Sequence, residues 1–145
     1  MINIPDHETL GRPAFRTDAS DAMALLRLNN DCDQANSKGY SEDKDIVFIA
    51  NYFSLKISLT ARAEAADAAT SLIEEELFGI KEVIKSETNA SRFAFFNKIK
   101  LDELTLIHAK SLALSYELNG LLNLLEDTYS THYENAVNRY AVNRY

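Results

Sequence analysis

Between Ser41 and Lys85, apolar side chains return every three or four residues, at Phe48, Tyr52, Leu55, Leu59, Ala63, Ala66, Ala69, Ile73, Leu77, Ile80 and Ile84. A mean spacing of about 3.6 is the period of an α-helix. Ser41 offers an N-cap, and Glu42, Asp43 and Asp45 place carboxylates where the helix dipole is positive. Unbroken, such a helix is roughly 65 Å long at about 1.5 Å per residue. The pattern therefore predicts a long central helix, or a helical hairpin broken near Thr60 or Gly79. Its first half also carries Ile46, Val47, Ile49, Phe53 and Ile57 off the main stripe, so cover on several sides is expected. The alanines between Ala61 and Ala69 predict close approach by a neighbouring helix.

Residues 1–16 hold both prolines and Gly11 and read as an extended arm. A helix is predicted to start within Thr17-Asp18-Ala19-Ser20, to carry Ala22, Met23, Leu25, Leu26 and Cys32 on one face, and to end at Asn36-Ser37-Lys38-Gly39. The polar stretch Ser86 to Ser91 predicts a turn, followed by a helical region from near Ala90 that pauses at Leu101-Asp102, where Asp102 caps a fresh helix. Beyond it, Leu104, Ile107, Ser111, Leu114, Leu118, Leu121 and Leu125 alternate spacings of three and four, a heptad seam. Gly120 costs about 1 kcal/mol relative to alanine there and is expected to mark a close helix crossing. No proline follows Pro13 and only 4 glycines occur, which favours helix throughout. The expectation is an all-α helical bundle of three to five helices, with residues 17–145 as one helical domain and a frayed C-terminal tail. The apolar excess further predicts an antiparallel homodimer, with Leu114, Leu118, Leu121 and Leu125 in its seam.

Composition narrows the function classes. A net charge of −7 and a pI near 4.9 weigh against a dedicated nucleic-acid binder and against docking on anionic membranes. Cys32 is the single cysteine, so a reducing compartment is expected. The N-terminus lacks a basic segment followed by an apolar one, and no run of about 18 apolar residues exists to span a membrane. These features together predict a cytoplasmic protein. The chain ends on a duplication, Ala136-Val137-Asn138-Arg139-Tyr140 followed by Ala141-Val142-Asn143-Arg144-Tyr145. Five residues turn a helix by about 500°, so the copies do not share a face. The duplication reads as a slippage product in a loose tail, with a paired Arg/Tyr partner contact as the functional alternative.

Candidate chemistry is sparse. Asp31, Asp33 and Glu42 occupy positions one, three and twelve of an EF-hand-like loop, yet Ala35 offers no ligand, Asn36 replaces the turn glycine and Lys38 adds positive charge. No metal is expected there. His108, in Leu106-Ile107-His108-Ala109-Lys110-Ser111, lies on a predicted bundle helix with a lysine nearby. This stretch loosely resembles histidine phosphotransfer domains, which implies His108 as a phosphoacceptor. Those domains place lysine three residues and glycine four residues after the histidine, where this chain has Ser111 and Leu112. Ser115-Tyr116-Glu117-Leu118 resembles the Ser-His-Glu-Leu of sensor-kinase dimerisation helices, with tyrosine in place of the acceptor.

Arginine four to six residues ahead of a histidine, as in small helical ribonucleases, is absent before His108 and His132, and no phosphate loop, zinc-protease or serine-elbow motif occurs. One basic, aromatic island stands out, Arg92 to Lys100, within a stretch from Lys81 to Lys100 of five basic and two acidic residues. The reading is a non-catalytic regulatory, adaptor or inhibitor protein that binds another protein and uses no cofactor. Arg92, Phe95, Lys98, Lys100, Arg139 and Arg144 are its candidate contacts. A histidine phosphotransfer-like module using His108 and a nucleic-acid-binding bundle are the alternatives.

Overall fold

A computed structural model describes residues 19–37, 39, 41–86 and 92–144, excepting the side chains of 19, 86, 92–96, 143 and 144. The described chain is all-α, without a strand among the described residues. Helix α1 spans Ala19–Ala35, α2 Glu42–Ser86 and α3 Arg92–Arg144. The turn expected at 87–91 and the arm at 1–16 lie outside the described residues.

Helix α2 is a single element of 45 residues, unbroken at Thr60 and at Gly79. Leu77 and Ile80, either side of Gly79, are both buried, and keeping them inward offsets the roughly 1 kcal/mol a helical glycine costs. The expected pause at Leu101-Asp102 is likewise absent, because α3 continues through it for 53 residues. Leu101 and Leu104 both pack into one core, so a break between them would turn one outward. Gly120 does not mark a close crossing: a Cβ placed there meets nothing within 4 Å. Gly39, between α1 and α2, has φ of 85°, a left-handed conformation in which glycine avoids the penalty a side chain would bring.

The described residues fall into two compact units, one within Arg62–Glu117 and the other formed by Thr17–Ala61 with Leu118–Tyr145. In the Arg62–Glu117 unit, α2 and α3 run antiparallel. Ile73, Leu77 and Ile80 of α2 pack with Leu104 and Ile107 of α3, and Ile84 and Leu101 extend this core. Ala63, Ala66 and Ala69 are buried, the close approach that the alanine-rich stretch predicts. Among them lies a hydroxyl pair. Thr70 donates through Oγ1 to the Ala66 carbonyl at 2.8 Å, and the Ser111 hydroxyl sits 2.6 Å from Thr70 Oγ1. A polar ladder continues from it along the seam. Ser115 donates to Asp67, His108 Nε2 lies 3.0 Å from Glu74 Oε1, and Lys100 Nζ donates to Glu76 Oε1 at 3.2 Å. From Asp67–Ser115 through Thr70–Ser111 to Glu74–His108, each step up α2 is matched by a step down α3, which fixes the antiparallel register.

The second unit packs α1 against the first half of α2 and the second half of α3. Leu28 and Cys32 of α1, Phe48, Tyr52, Leu55 and Leu59 of α2, and Leu118, Leu125, Tyr129 and Ala136 of α3 are buried. Aromatic rings fill its centre, with Phe48 edge-on to Tyr129 at 6.4 Å and Tyr52 stacked on Tyr133 at 4.5 Å. Helix α1 is rotated from its expected face: Leu28 points inward with Cys32, while Met23 and Leu26 are exposed. Polar contacts set that rotation. Asn51 donates to Asp31 at 2.6 Å, the Tyr129 hydroxyl donates to Asn29 at 3.0 Å, and Asn36 Nδ2 lies 3.4 Å from His132 Nδ1.

Gly79 and Gly120 are exposed helix-interior positions with open space around them. Gly79→Ala and Gly120→Ala are each expected to stabilise the protein by about 0.5–1 kcal/mol. Denaturant midpoints check this, and a loss of stability in either variant would contradict the open helical setting.

Candidate interaction site

At about 100° per residue, the α2 segment in the second unit has an inward stripe, two edges and an outward face. Phe48, Tyr52, Leu55 and Leu59 form the stripe. Asn51 marks the edge facing α1, through Asp31, and Lys56 marks the opposite edge, through an ion pair with Glu126 of α3 at 3.8 Å. Ile46, Phe53 and Ile57 stand on the outward face, with Phe53 51% and Ile57 54% exposed, against 0% for Phe48 and 1% for Tyr52 on the inward one. Ile49 is half-buried beside them, and Ala50, Thr60 and Ala61 continue the face. No charged residue interrupts it from Ile46 to Ala61. That makes a contiguous apolar strip rather than scattered exposed residues.

Helix α3 borders this strip on the Lys56 side. Tyr133, Glu134, Val137 and Asn138 of α3 line an open depression of about 280 Å³. Burial of Tyr52, followed by the charges of Glu126, the Tyr133 hydroxyl and Glu134, raises the Tyr52 phenol above its ordinary value. Burial likewise raises Tyr129, with Cys32 and Asp33 adding to the effect. Burial also pushes up the Cys32 thiol, with Asp33 beside it acting the same way and Asn36 and Arg139 opposing. A buried thiol held neutral is a packing group, not a nucleophile.

Arg139, a candidate contact in the first copy of the duplication, is engaged inside the chain. It donates through Nε to Asp45 Oδ2 at 3.1 Å and through Nη2 to Asp45 Oδ1 at 2.8 Å, and Nη2 also reaches the Ala35 carbonyl at 3.5 Å. One guanidinium thus joins the end of α1, the first turns of α2 and the last turns of α3. Ala136 in the same copy is fully buried, whereas Val142 in the second is 77% exposed. The side chain of Arg144 lies outside the described residues.

Of the basic, aromatic island, the side chains of Arg92 and Phe95 lie outside the described residues, Lys98 is exposed and Lys100 is bonded to Glu76. His108 faces Glu74. Leu114, Leu118 and Leu125 are buried within the chain itself, and Leu121 is half-buried. Asp31 is held by Asn51, and among the described residues no three His, Cys, Asp or Glu side chains are placed to hold a metal ion. No helix among the described residues is long and apolar enough to cross a membrane. The outward strip was visible in the sequence as apolar residues off the main stripe, at spacings of three and four, but nothing there distinguished a free face from a covered one. Comparison with known protein families, with curated proteins and with solved structures finds no match for this chain.

The Asp45 carboxylate is 1% exposed. Arg139→Ala, which leaves it buried without its partner, is expected to cost about 3–5 kcal/mol by urea denaturation. The double variant Asp45→Ala/Arg139→Ala should cost less than Arg139→Ala alone, and equal costs would mean that the orphaned charge is not the cause. Alkaline pH tests the tyrosines. A phenol raised in the fold stays protonated where the unfolded chain has begun to ionise. Its contribution is therefore full below the ordinary value of 10.0 and is lost as pH rises through the folded value. Stability should fall as pH rises through and above 10.0, and less steeply in Tyr52→Phe. Identical slopes would contradict the assignment to Tyr52.

Proposed function

We propose that this protein is non-catalytic and works as a small regulatory, adaptor or inhibitory chain that binds another protein through the outward face of α2. The exposed strip of Ile46, Phe53 and Ile57 carries this reading. Fully burying such a side chain is worth about 1.5–3 kcal/mol, so three together can anchor an interface, and a phenylalanine flanked by isoleucines has the form of a binding hot spot. Among the described residues, the strip stays open while the opposite face of the same helix is covered.

This reading is preferred to phosphotransfer at His108 because the Glu74 carboxylate lies 3.0 Å from Nε2, where it would repel an incoming phosphoryl group. It is preferred to nucleic-acid binding because Lys100 is neutralised by Glu76 and the strip carries no cation. The test is a photo-crosslinking residue introduced at Phe53, with the same residue at the exposed polar position Asn123 as control, in the cell that makes the protein. A discrete protein adduct specific to position 53 is expected. Equal labelling at both positions would refute the reading.

A further inference from the structure

The outward face of α2 also carries information on what it binds. Ile46, Ala50, Phe53, Ile57 and Thr60 alternate spacings of four and three residues, a mean of about 3.5. That is the spacing of a coiled-coil seam, which stays in contact with a second helix over several turns where a 3.6 repeat drifts away. An unbroken helix leaves no free backbone donors or acceptors along this face, so a β-strand has nothing to pair with. The strip therefore suits a helix of about four turns, lying nearly along α2.

Charge selects which helix. The border toward α3 carries Glu126 and Glu134. The one base on this border, Lys56, is already paired with Glu126, and Glu134 is exposed and makes no ion pair among the described residues. Arg139 is committed to Asp45, and Lys44 lines the depression on the other edge, with Asp31 of α1. A second copy of this chain would bring to the interface the same carboxylates and the same committed lysine, in a protein already at −7. A partner with its own cations would convert those carboxylates from repulsion to attraction. We infer that the occupant of this face is an amphipathic helix of another protein, with its apolar stripe bordered by lysine or arginine. The inference rests on the protein-binding reading of the same strip and adds the chemistry of the partner.

The experiment uses the full chain and two labelled synthetic helical peptides of about 18 residues with the same leucine stripe, one bordered by lysine and the other by glutamate. Fluorescence anisotropy is expected to show the lysine peptide binding at least about tenfold more tightly, with the advantage shrinking as salt is raised. Phe53→Asp should weaken its binding by about tenfold or more while circular dichroism stays unchanged, and Glu134→Lys should narrow the gap between the peptides. Equal affinity for both peptides, with loss on Phe53→Asp, would overturn the charge inference and leave the binding face standing. A wild-type dimer by light scattering that Phe53→Asp converts to monomer would make a second copy the occupant and overturn the inference in another way. If Phe53→Asp changes neither peptide binding nor oligomeric state, this inference and the binding-face reading fail together.

Discussion

The carboxylate of Asp45 is the constraint that the second unit is arranged around. An acid so fully removed from water is tolerable only if a cation and well-aligned donors meet it, and Arg139 supplies both in a two-point contact. The two residues are 94 positions apart, so the contact exists only when α2 and α3 lie antiparallel in one register. The same guanidinium reaches the last carbonyl of α1, which ties the short helix to the long ones. A buried ion pair of this kind adds little net stability compared with apolar packing, but it strongly penalises arrangements that separate its members. Phe48, Tyr52 and Tyr129 supply the apolar burial, while Asp45 and Arg139 restrict how it can be achieved.

In the Arg62–Glu117 unit a neutral version of the same device is present. Two helices packed through alanines come close together, and a slip of one turn would still bury apolar groups. Thr70 and Ser111 remove that freedom. Their hydroxyls satisfy each other and the Ala66 carbonyl only in the observed register, and a slip would strand them in a core where an unpaired hydroxyl costs about 1–3 kcal/mol. The ladder through Asp67–Ser115 and Glu74–His108 runs along the more exposed side of the seam, where each contact is weaker but the geometry repeats. This places the one histidine with a suggestive sequence context in a structural row.

The outward strip of α2 follows from the same economy. A helix that packs on one side against α3 and on an edge against α1 has one face left over. Most of the described helical surface fills such a face with charged or polar side chains, but between Ile46 and Ala61 it is apolar. Keeping Phe53 and Ile57 in water has a solubility cost with no return inside the fold, which is why the strip is read as a contact surface.

The helices themselves were legible in the sequence because their cause is local: a 3.6 period, an absence of proline and carboxylates at the start of α2 need no knowledge of what lies nearby. The inward stripes of α2 and α3 were legible for the same reason, down to Phe48, Tyr52, Ile73, Leu104 and Leu118. Whether Gly79 or Asp102 broke a helix was not, because the local penalty of about 1 kcal/mol competes with burial on both sides that only the folded chain supplies. The face of α1 was misjudged because five apolar residues allow more than one stripe, and Asn29, Asp31 and Asn36 settled the choice through partners on α2 and α3. Arg139 looked like a free contact in a loose tail, since nothing near it in sequence hints at an acid 94 positions away. Sequence periodicity determined which residues share a helix face, whereas which faces are covered depends on distances between segments remote in the chain, and tertiary packing alone decided that.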